Sequence, residues 1–154
     1  MSDATPHPPE SPGPHHSEDA LLGGRVRLVQ PRHGYRAAVA PVLLAAATAA
    51  RTGDRVLDIG TGTGAAALCL AARVPGVRVT ALEKEPEVAE LARHNAALNG
   101  VPGRVMVYAG DLLRPPPILA PGSFDRVMMN PPYLRADAAT APPGAWKAAA
   151  NVEG

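Results

Sequence analysis

The sequence contains very little cysteine and few aromatic residues. Cys69 is the single cysteine, which excludes a disulfide framework and a cysteine-based zinc site. It lies in the alanine-rich run at residues 65–72, so we interpret it as a buried, unreactive core thiol. The chain has one Phe, one Trp and three Tyr, so an aromatic residue in a loop indicates a specific role there.

A long apolar run is also missing. Residues 37–50 form the longest apolar stretch, but they include Pro41 and fall short of the ~20 residues that a bilayer requires. Residues 1–20 lack the basic start and apolar centre of a signal peptide. We therefore expect a cytoplasmic protein with no membrane partner, and no pattern in the sequence predicts its oligomeric state.

Residues 1–20 contain no lysine or arginine. They hold five prolines, three histidines and four acidic residues. A segment of this composition buries too little apolar surface to offset the entropy lost on ordering, so we predict a disordered tail. Its histidines have no fold to position them, and we predict no metal site. Residues 21–154 then form a single domain.

Acidic residues are absent from residues 21–51. The acidic tail carries a charge of −4, which leaves +5 on the rest of a chain whose formal charge is +1. Two interpretations stay open: a surface that binds a polyanion such as nucleic acid, or an arginine-rich surface that only contacts solvent. The five arginines of this segment are Arg25, Arg27, Arg32, Arg36 and Arg51.

The order of the predicted elements indicates an α/β fold. A short strand at residues 25–29 and an alanine-rich helix at residues 39–50 come first. Mostly apolar strands separated by helices then predict a parallel sheet with helices on both faces. The predicted strands are residues 55–59, 77–82, 104–108 and 124–129. One predicted helix follows the loop at residues 60–64 and ends near residue 74, and another covers residues 86–98.

A glycine-rich loop follows the first strand of the predicted sheet. Glycines let a ligand approach the backbone N–H groups and the helix start that meet at such a loop. Asp58 stands two positions before Gly60, where a carboxylate suits a cation better than a pyrophosphate. Glu83 ends the next strand, where an acid accepts hydrogen bonds from ribose hydroxyls. Because Gly60-x-Gly62-x-x-Ala65 also fits the dinucleotide fingerprint, a dinucleotide and a purely structural turn stay open.

The spacing of these residues resembles the cofactor loop of class I S-adenosylmethionine (SAM) methyltransferases. The resemblance implies a Rossmann-like fold in which Asp58 and the glycine loop hold the methionine end and Glu83 holds the ribose. Asp111, with the Leu112 backbone beside it, would meet the adenine, although Asp111 also suits an ordinary loop acid. The cofactor-binding residues implied are Asp58, Gly60, Thr61, Gly62, Gly64, Glu83, Asp111 and Leu112.

The sequence Asn130-Pro131-Pro132-Tyr133 follows the last predicted strand. An exocyclic amine is a poor nucleophile because its lone pair is delocalised into the ring. The N–H groups of such an amine can donate hydrogen bonds to the Asn130 side-chain oxygen and to the Pro131 carbonyl. These hydrogen bonds would free the lone pair of the amine nitrogen. Consecutive prolines fix the backbone, and Tyr133 suits stacking on a base. We predict these four residues as the catalytic set, with a turn of no function as the alternative.

The Asn-Pro-Pro-Tyr motif resembles the methyltransferases that act on adenine N6, cytosine N4 or the amide of glutamine. The further pattern Gln30-Pro31-x-x-Gly34-Tyr35-Arg36 resembles the bacterial enzymes that methylate adenine N6 beside the anticodon of a valine tRNA. That resemblance covers about residues 20–154 and implies SAM as cofactor and RNA as substrate, with tRNA as the favoured RNA.

Two alternatives stay open. The first is methylation of a glutamine amide in a release factor, whose enzymes usually carry a helical domain upstream. The second is a non-catalytic remnant, because the resemblance implies seven strands and the sequence predicts four in the main sheet. We therefore expect residues 21–154 to be the N-terminal, incomplete portion of a methyltransferase domain.

Overall fold

The computed structural model describes residues 13–34 and 36–131. In this part of the chain there are six strands and three α-helices, with short 3-10 turns at Leu22–Gly24 and Pro117–Leu119. In chain order the main elements are β1 (His16–Leu21), β2 (Val26–Pro31), α1 (Val39–Ala47), β3 (Arg55–Ile59), α2 (Ala65–Arg73), β4 (Arg78–Glu83), α3 (Pro86–Leu98), β5 (Val105–Ala109) and β6 (Arg126–Met129).

The main sheet is parallel and has the strand order β5-β4-β3-β6. This confirms the predicted α/β, Rossmann-like class. The chain leaves β3 towards β4 on one side and later returns to β6 on the other. Connections that depart in opposite directions open a crevice at the carboxyl ends of the strands, which is where ligands bind in such sheets.

The hydrophobic core lies on one face of this sheet. Val56, Val79, Val105 and Met128 occupy this face in neighbouring strands and are buried. All seven residues from Ala65 to Ala71 in α2 are buried as well, and four of them are alanines, whose small side chains let the helix lie close to the sheet.

All three α-helices of the described residues pack on this same face. On the opposite face, the side chains of Met106, Val127 and Met129 are 43%, 60% and 50% exposed. Helical cover of that opposite face stays a prediction.

The strand β1 corrects the predicted disordered tail. It pairs antiparallel with β2 from His16↔Pro31 to Leu21↔Val26, so the prediction is wrong for residues 16–20. Residues 1–12 lie outside the described residues. The polar composition of this segment predicts disorder, but the strand needs little apolar burial. It is stabilised by main-chain pairing with β2 and by the ion pairs of its acidic residues.

The same hairpin neutralises part of the basic segment. Glu18 accepts a hydrogen bond from the Arg27 Nε at 2.5 Å, and Asp19 accepts one from Arg36 at 2.6 Å. The Arg25 guanidinium donates to the carbonyl of Ala72 in α2. Several arginines of residues 21–51 therefore make contacts within the chain, so their side chains are less available to a polyanion than the composition indicates.

Candidate functional site

A cavity of about 300 Å³ opens at the carboxyl ends of β3 and β6. Its floor is the loop after β3, from Gly60 to Thr63, together with Asp58. Asn130, the first residue after β6, lines the same cavity. Residues before and after this loop complete the lining, namely Pro31, His33, Ala37, Pro41, Ala65, Ala66 and Val88. Two sequence motifs that are about 70 residues apart thus meet at one site.

Asp58 is a buried acid at the base of this cavity, with 2% of its surface exposed. Its carboxylate accepts a hydrogen bond of 2.6 Å from the Thr61 hydroxyl. Burial raises the pKa of Asp58 to about 7, the Thr61 bond opposes the rise, and the nearby Glu83 charge adds to it. A cationic ligand would favour the charged form, so this environment suits a ligand that carries a positive charge.

Glu83 braces the glycine loop from the end of β4. One carboxylate oxygen accepts the Gly62 N–H at 2.9 Å and the other accepts the Glu85 N–H at 3.0 Å. Each oxygen keeps a further lone pair, which suits the hydroxyls of a ribose. Since Glu83 occupies the Gly62 N–H and Asp58 adds a second acid, the loop is poorly suited to a pyrophosphate. The geometry therefore disfavours the dinucleotide alternative.

The glycine loop requires glycine at the positions that face the cavity. Gly60 and Gly62 have φ angles of 67° and 59°, in the left-handed region that other residues rarely adopt. A Cβ at either position would meet no atom within 4 Å, so both face open space. A ligand can therefore approach this main chain closely, which fits an adenosyl cofactor with an amino-acid end.

The predicted catalytic loop is described only in its first half. Asn130 is partly buried and lines the cavity, whereas Pro131 is exposed. Pro132 and Tyr133 lie outside the described residues, so the predicted stacking role of Tyr133 stays a prediction. Asn130 lies at the cavity because β6 is parallel to β3 and ends at the same edge of the sheet.

Asp111 and Leu112 lie beside the end of β4 and do not line the cavity. The Gly110 N–H donates to the Glu83 carbonyl, which brings the following residue close to the predicted ribose acid. The Asp111 carboxylate accepts the Leu113 N–H at 3.0 Å and lies 3.8 Å from the Lys84 ammonium. Leu112 is 45% exposed. Their predicted contact with adenine stays a prediction.

Sequence reasoning missed the contribution of residues 31–37, which we name the roof loop. It contributes His33 to the cavity, although this histidine is about a hundred residues from Asn130 in the chain. The Gln30 side chain pairs with both the N–H and the carbonyl of Ala37, at 2.7 and 3.4 Å. Arg36 donates to the Pro31 carbonyl at 2.8 Å. The only available signal was the Gln30-Pro31-x-x-Gly34-Tyr35-Arg36 pattern, whose first and last residues fix the loop.

Two further properties concern the described part of the chain only. None of its helices has the length and apolar character to cross a membrane. Within residues 13–34 and 36–131, His, Cys, Asp and Glu side chains form no group of three that would hold a metal ion.

Comparisons with known proteins agree with the geometry of this site. The sequence profile of the methyltransferase small domain matches residues 38–147. A release factor glutamine methyltransferase from Deinococcus radiodurans is 50% identical over 90 residues, covering 58% of this chain and 30% of that protein. A tRNA1(Val) (adenine(37)-N6)-methyltransferase from Porphyromonas gingivalis is 42% identical over 81 residues, covering 51% of this chain and 32% of that protein.

The chain thus spans about a third of the length of these curated relatives. Among solved structures, a predicted O-methyltransferase from Agrobacterium tumefaciens is 35% identical, with a TM-score of 0.52. The match covers 60% of this chain and 49% of that one.

Proposed function

The chain belongs to the methyltransferase small domain family, and from this premise we propose that it is a SAM-dependent N-methyltransferase acting on adenine N6 of tRNA. The observation that carries the proposal is that Asn130 and Asp58 line one cavity. A cofactor held at the Asp58 side would present its methyl group towards a planar amine held at the Asn130 side.

Asp58 in the cavity and Glu83, which binds the glycine loop beside it, fit SAM in charge. When bound, SAM supplies a methyl group on a positively charged sulfur and carries an ammonium at its amino-acid end. The buried Asp58 carboxylate suits these cations, and Glu83 has lone pairs left for the ribose. Neither acid suits a phosphate, and SAM has none.

The reaction needs positioning more than a strong base. SAM would supply the methyl group to the acceptor nitrogen and leave as S-adenosylhomocysteine, and the nitrogen would then lose a proton to water. The Asn130 side-chain oxygen and the Pro131 carbonyl would accept the N–H bonds of the acceptor and aim its lone pair. We propose that these two acceptors, with the rigid Pro132 and the stacking ring of Tyr133, form the catalytic set.

The choice of tRNA adenine as substrate rests on the roof loop. Gln30, directly before this loop, and Arg36 within it belong to the pattern that resembles the valine-tRNA enzymes. Their side chains bind the loop main chain at Ala37 and Pro31. The relative from Porphyromonas gingivalis carries that substrate in its name. The basic segment adds less support than its composition indicates, because Arg27 and Arg36 are paired with acids.

A second candidate is methylation of a glutamine amide in a release factor. The relative from Deinococcus radiodurans, at 50% identity over 90 residues, favours it. The same Asn130 and Pro131 acceptors suit a glutamine amide nitrogen, which is planar and weakly nucleophilic like the adenine amine. The cavity therefore serves either acceptor, and the choice depends on the surface that surrounds it.

Incubation with methyl-labelled SAM and either total tRNA or a release factor tests both candidates. In a complete version of the protein, adenine label in the tRNA that is present with the wild type and lost in Asn130→Ala is the expected result. The affinity of the variant for S-adenosylhomocysteine should stay within about twofold, because the proposed bond of Asn130 is to the acceptor. Label in glutamine and not in adenine would replace the first candidate by the second. Full activity of the variant would remove Asn130 from the mechanism.

A further inference from the structure

Asn95, on the inner face of α3, is a buried polar side chain whose amide group forms three hydrogen bonds. It is 0% exposed, and its amide oxygen accepts the Val29 N–H of β2 at 2.8 Å. Its amide nitrogen donates to the Val29 carbonyl and to the Thr63 carbonyl, both at 2.9 Å. Because the two carbonyls require the NH2 group, the orientation of the amide is fixed. One side chain thus joins β2 to the glycine loop.

Asn99, one helical turn later, makes a comparable clamp without that link. Its amide oxygen accepts the Arg27 N–H at 2.8 Å, and its nitrogen donates to the Arg27 carbonyl at 2.7 Å. It also donates to the Asn95 carbonyl within α3. β2 has one edge paired with β1. Along its other edge, the two asparagine side chains make the main-chain hydrogen bonds that a neighbouring strand would otherwise make. Only Asn95 also binds the glycine loop, through the Thr63 carbonyl.

The connection continues from β2 into the roof loop. Gln30 follows Val29 directly, is 1% exposed, and pairs with the main chain of Ala37 through its side chain. Ala37 lines the same cavity as Thr63 and its neighbours. A continuous set of hydrogen bonds therefore runs from the floor of the cavity, through Asn95 and β2, to its roof.

We propose that Asn95 is a positioning residue that holds the glycine loop and the roof loop in register, so that cofactor affinity depends on the hairpin. The proposal rests on the proposed function, since it takes the cavity as the SAM site. Asn95 touches neither cofactor nor acceptor. It acts by fixing the Thr63 carbonyl, and with it the peptide that precedes Gly64 in the floor of the site.

Calorimetric titration with S-adenosylhomocysteine tests this role, with Asn99 as the matched control. Asn95→Ala should raise the Kd about tenfold or more, because the freed Thr63 carbonyl lets the loop shift. Asn99→Ala removes the same kind of clamp and should lower the Tm, but its Kd should stay within about twofold of wild type. Equal effects of the two variants on Kd, or none from Asn95→Ala, would overturn the proposal.

A measurement on the wild-type chain covers the case in which Asn95→Ala does not fold. Saturation with S-adenosylhomocysteine should slow hydrogen exchange of the Val29 amide, which Asn95 binds, more than that of the Arg27 amide, which Asn99 binds. Equal slowing at both amides would contradict the link. Failure of the wild type to bind S-adenosylhomocysteine would refute the proposed function itself, and is a different result from normal binding in Asn95→Ala.

Discussion

Asp58→Asn should abolish a pH dependence that the buried carboxylate gives to cofactor binding. The pKa of Asp58 is raised to about 7 because burial disfavours its charged form. From that value, about a tenth of the molecules carry the carboxylate at pH 6 and about nine tenths at pH 8. If the cationic end of the cofactor binds the carboxylate, affinity should rise about ninefold over this interval, or ~1.3 kcal/mol.

The sign for stability is the opposite. The folded pKa of Asp58 lies above its ordinary value of 3.8, so the folded protein binds more protons than the unfolded chain between these two pH values. The free energy of unfolding should therefore fall as pH rises from about 4 to about 7, by at most roughly 4 kcal/mol from this group, and then level off. Asp58→Asn should remove this part of the pH dependence.

Both effects are measurable on the same two proteins. Calorimetry with S-adenosylhomocysteine at pH 6, 7 and 8 measures how affinity depends on pH. The same titrations of Asp58→Asn correct for protons that the ligand itself gains or loses. Urea unfolding from pH 4.5 to 8 gives the stability term. Parallel curves for wild type and variant in both experiments would show that Asp58 is already charged in the free protein, and would refute the reasoning.

Three further predictions concern other parts of the chain. Cys69, buried and with a pKa raised to about 11, should resist iodoacetamide at pH 8 until the protein is unfolded, as checked by mass. Gly62→Ala should lower the stability by about 1–2 kcal/mol, because its φ is 59°, whereas Gly103→Ala should be tolerated, as Gly103 lacks a positive φ and has open space. If RNA binds, Arg32→Ala should reduce the salt dependence of binding by about one phosphate contact. Arg27→Ala should reduce the salt dependence of RNA binding less, because Arg27 already pairs with Glu18. An equal reduction in the two variants would contradict this prediction.

Local patterns predicted the main sheet and its helices well. The predicted strand at residues 55–59 and helix at residues 86–98 match β3 and α3 residue for residue. Each has an unambiguous local signal, an apolar run that ends in a glycine loop or a proline start with a glycine after the end. The first helix was predicted three residues too long, because alanine continues past Ala47 and gives no stop signal.

Long-range pairing accounts for what the sequence did not predict. β1 is polar, and only its register with β2 makes it a strand. In the sequence, Asn95 is indistinguishable from an ordinary helix residue, because its hydrogen-bond partners Val29 and Thr63 are 66 and 32 positions away. His33 reaches the cavity only because side-chain contacts of Gln30 and Arg36 fold the roof loop back. Each depends on contacts that no local pattern records.

Titration of S-adenosylhomocysteine and of NADH into the wild-type chain and into Glu83→Ala tests the central claim, that the cavity lined by the glycine loop is a SAM site. Glu83 braces the Gly62 N–H and has lone pairs free for a ribose. We expect S-adenosylhomocysteine to bind the wild type, and Glu83→Ala to weaken that binding by about 1–3 kcal/mol. Binding of NADH without binding of S-adenosylhomocysteine would contradict the account.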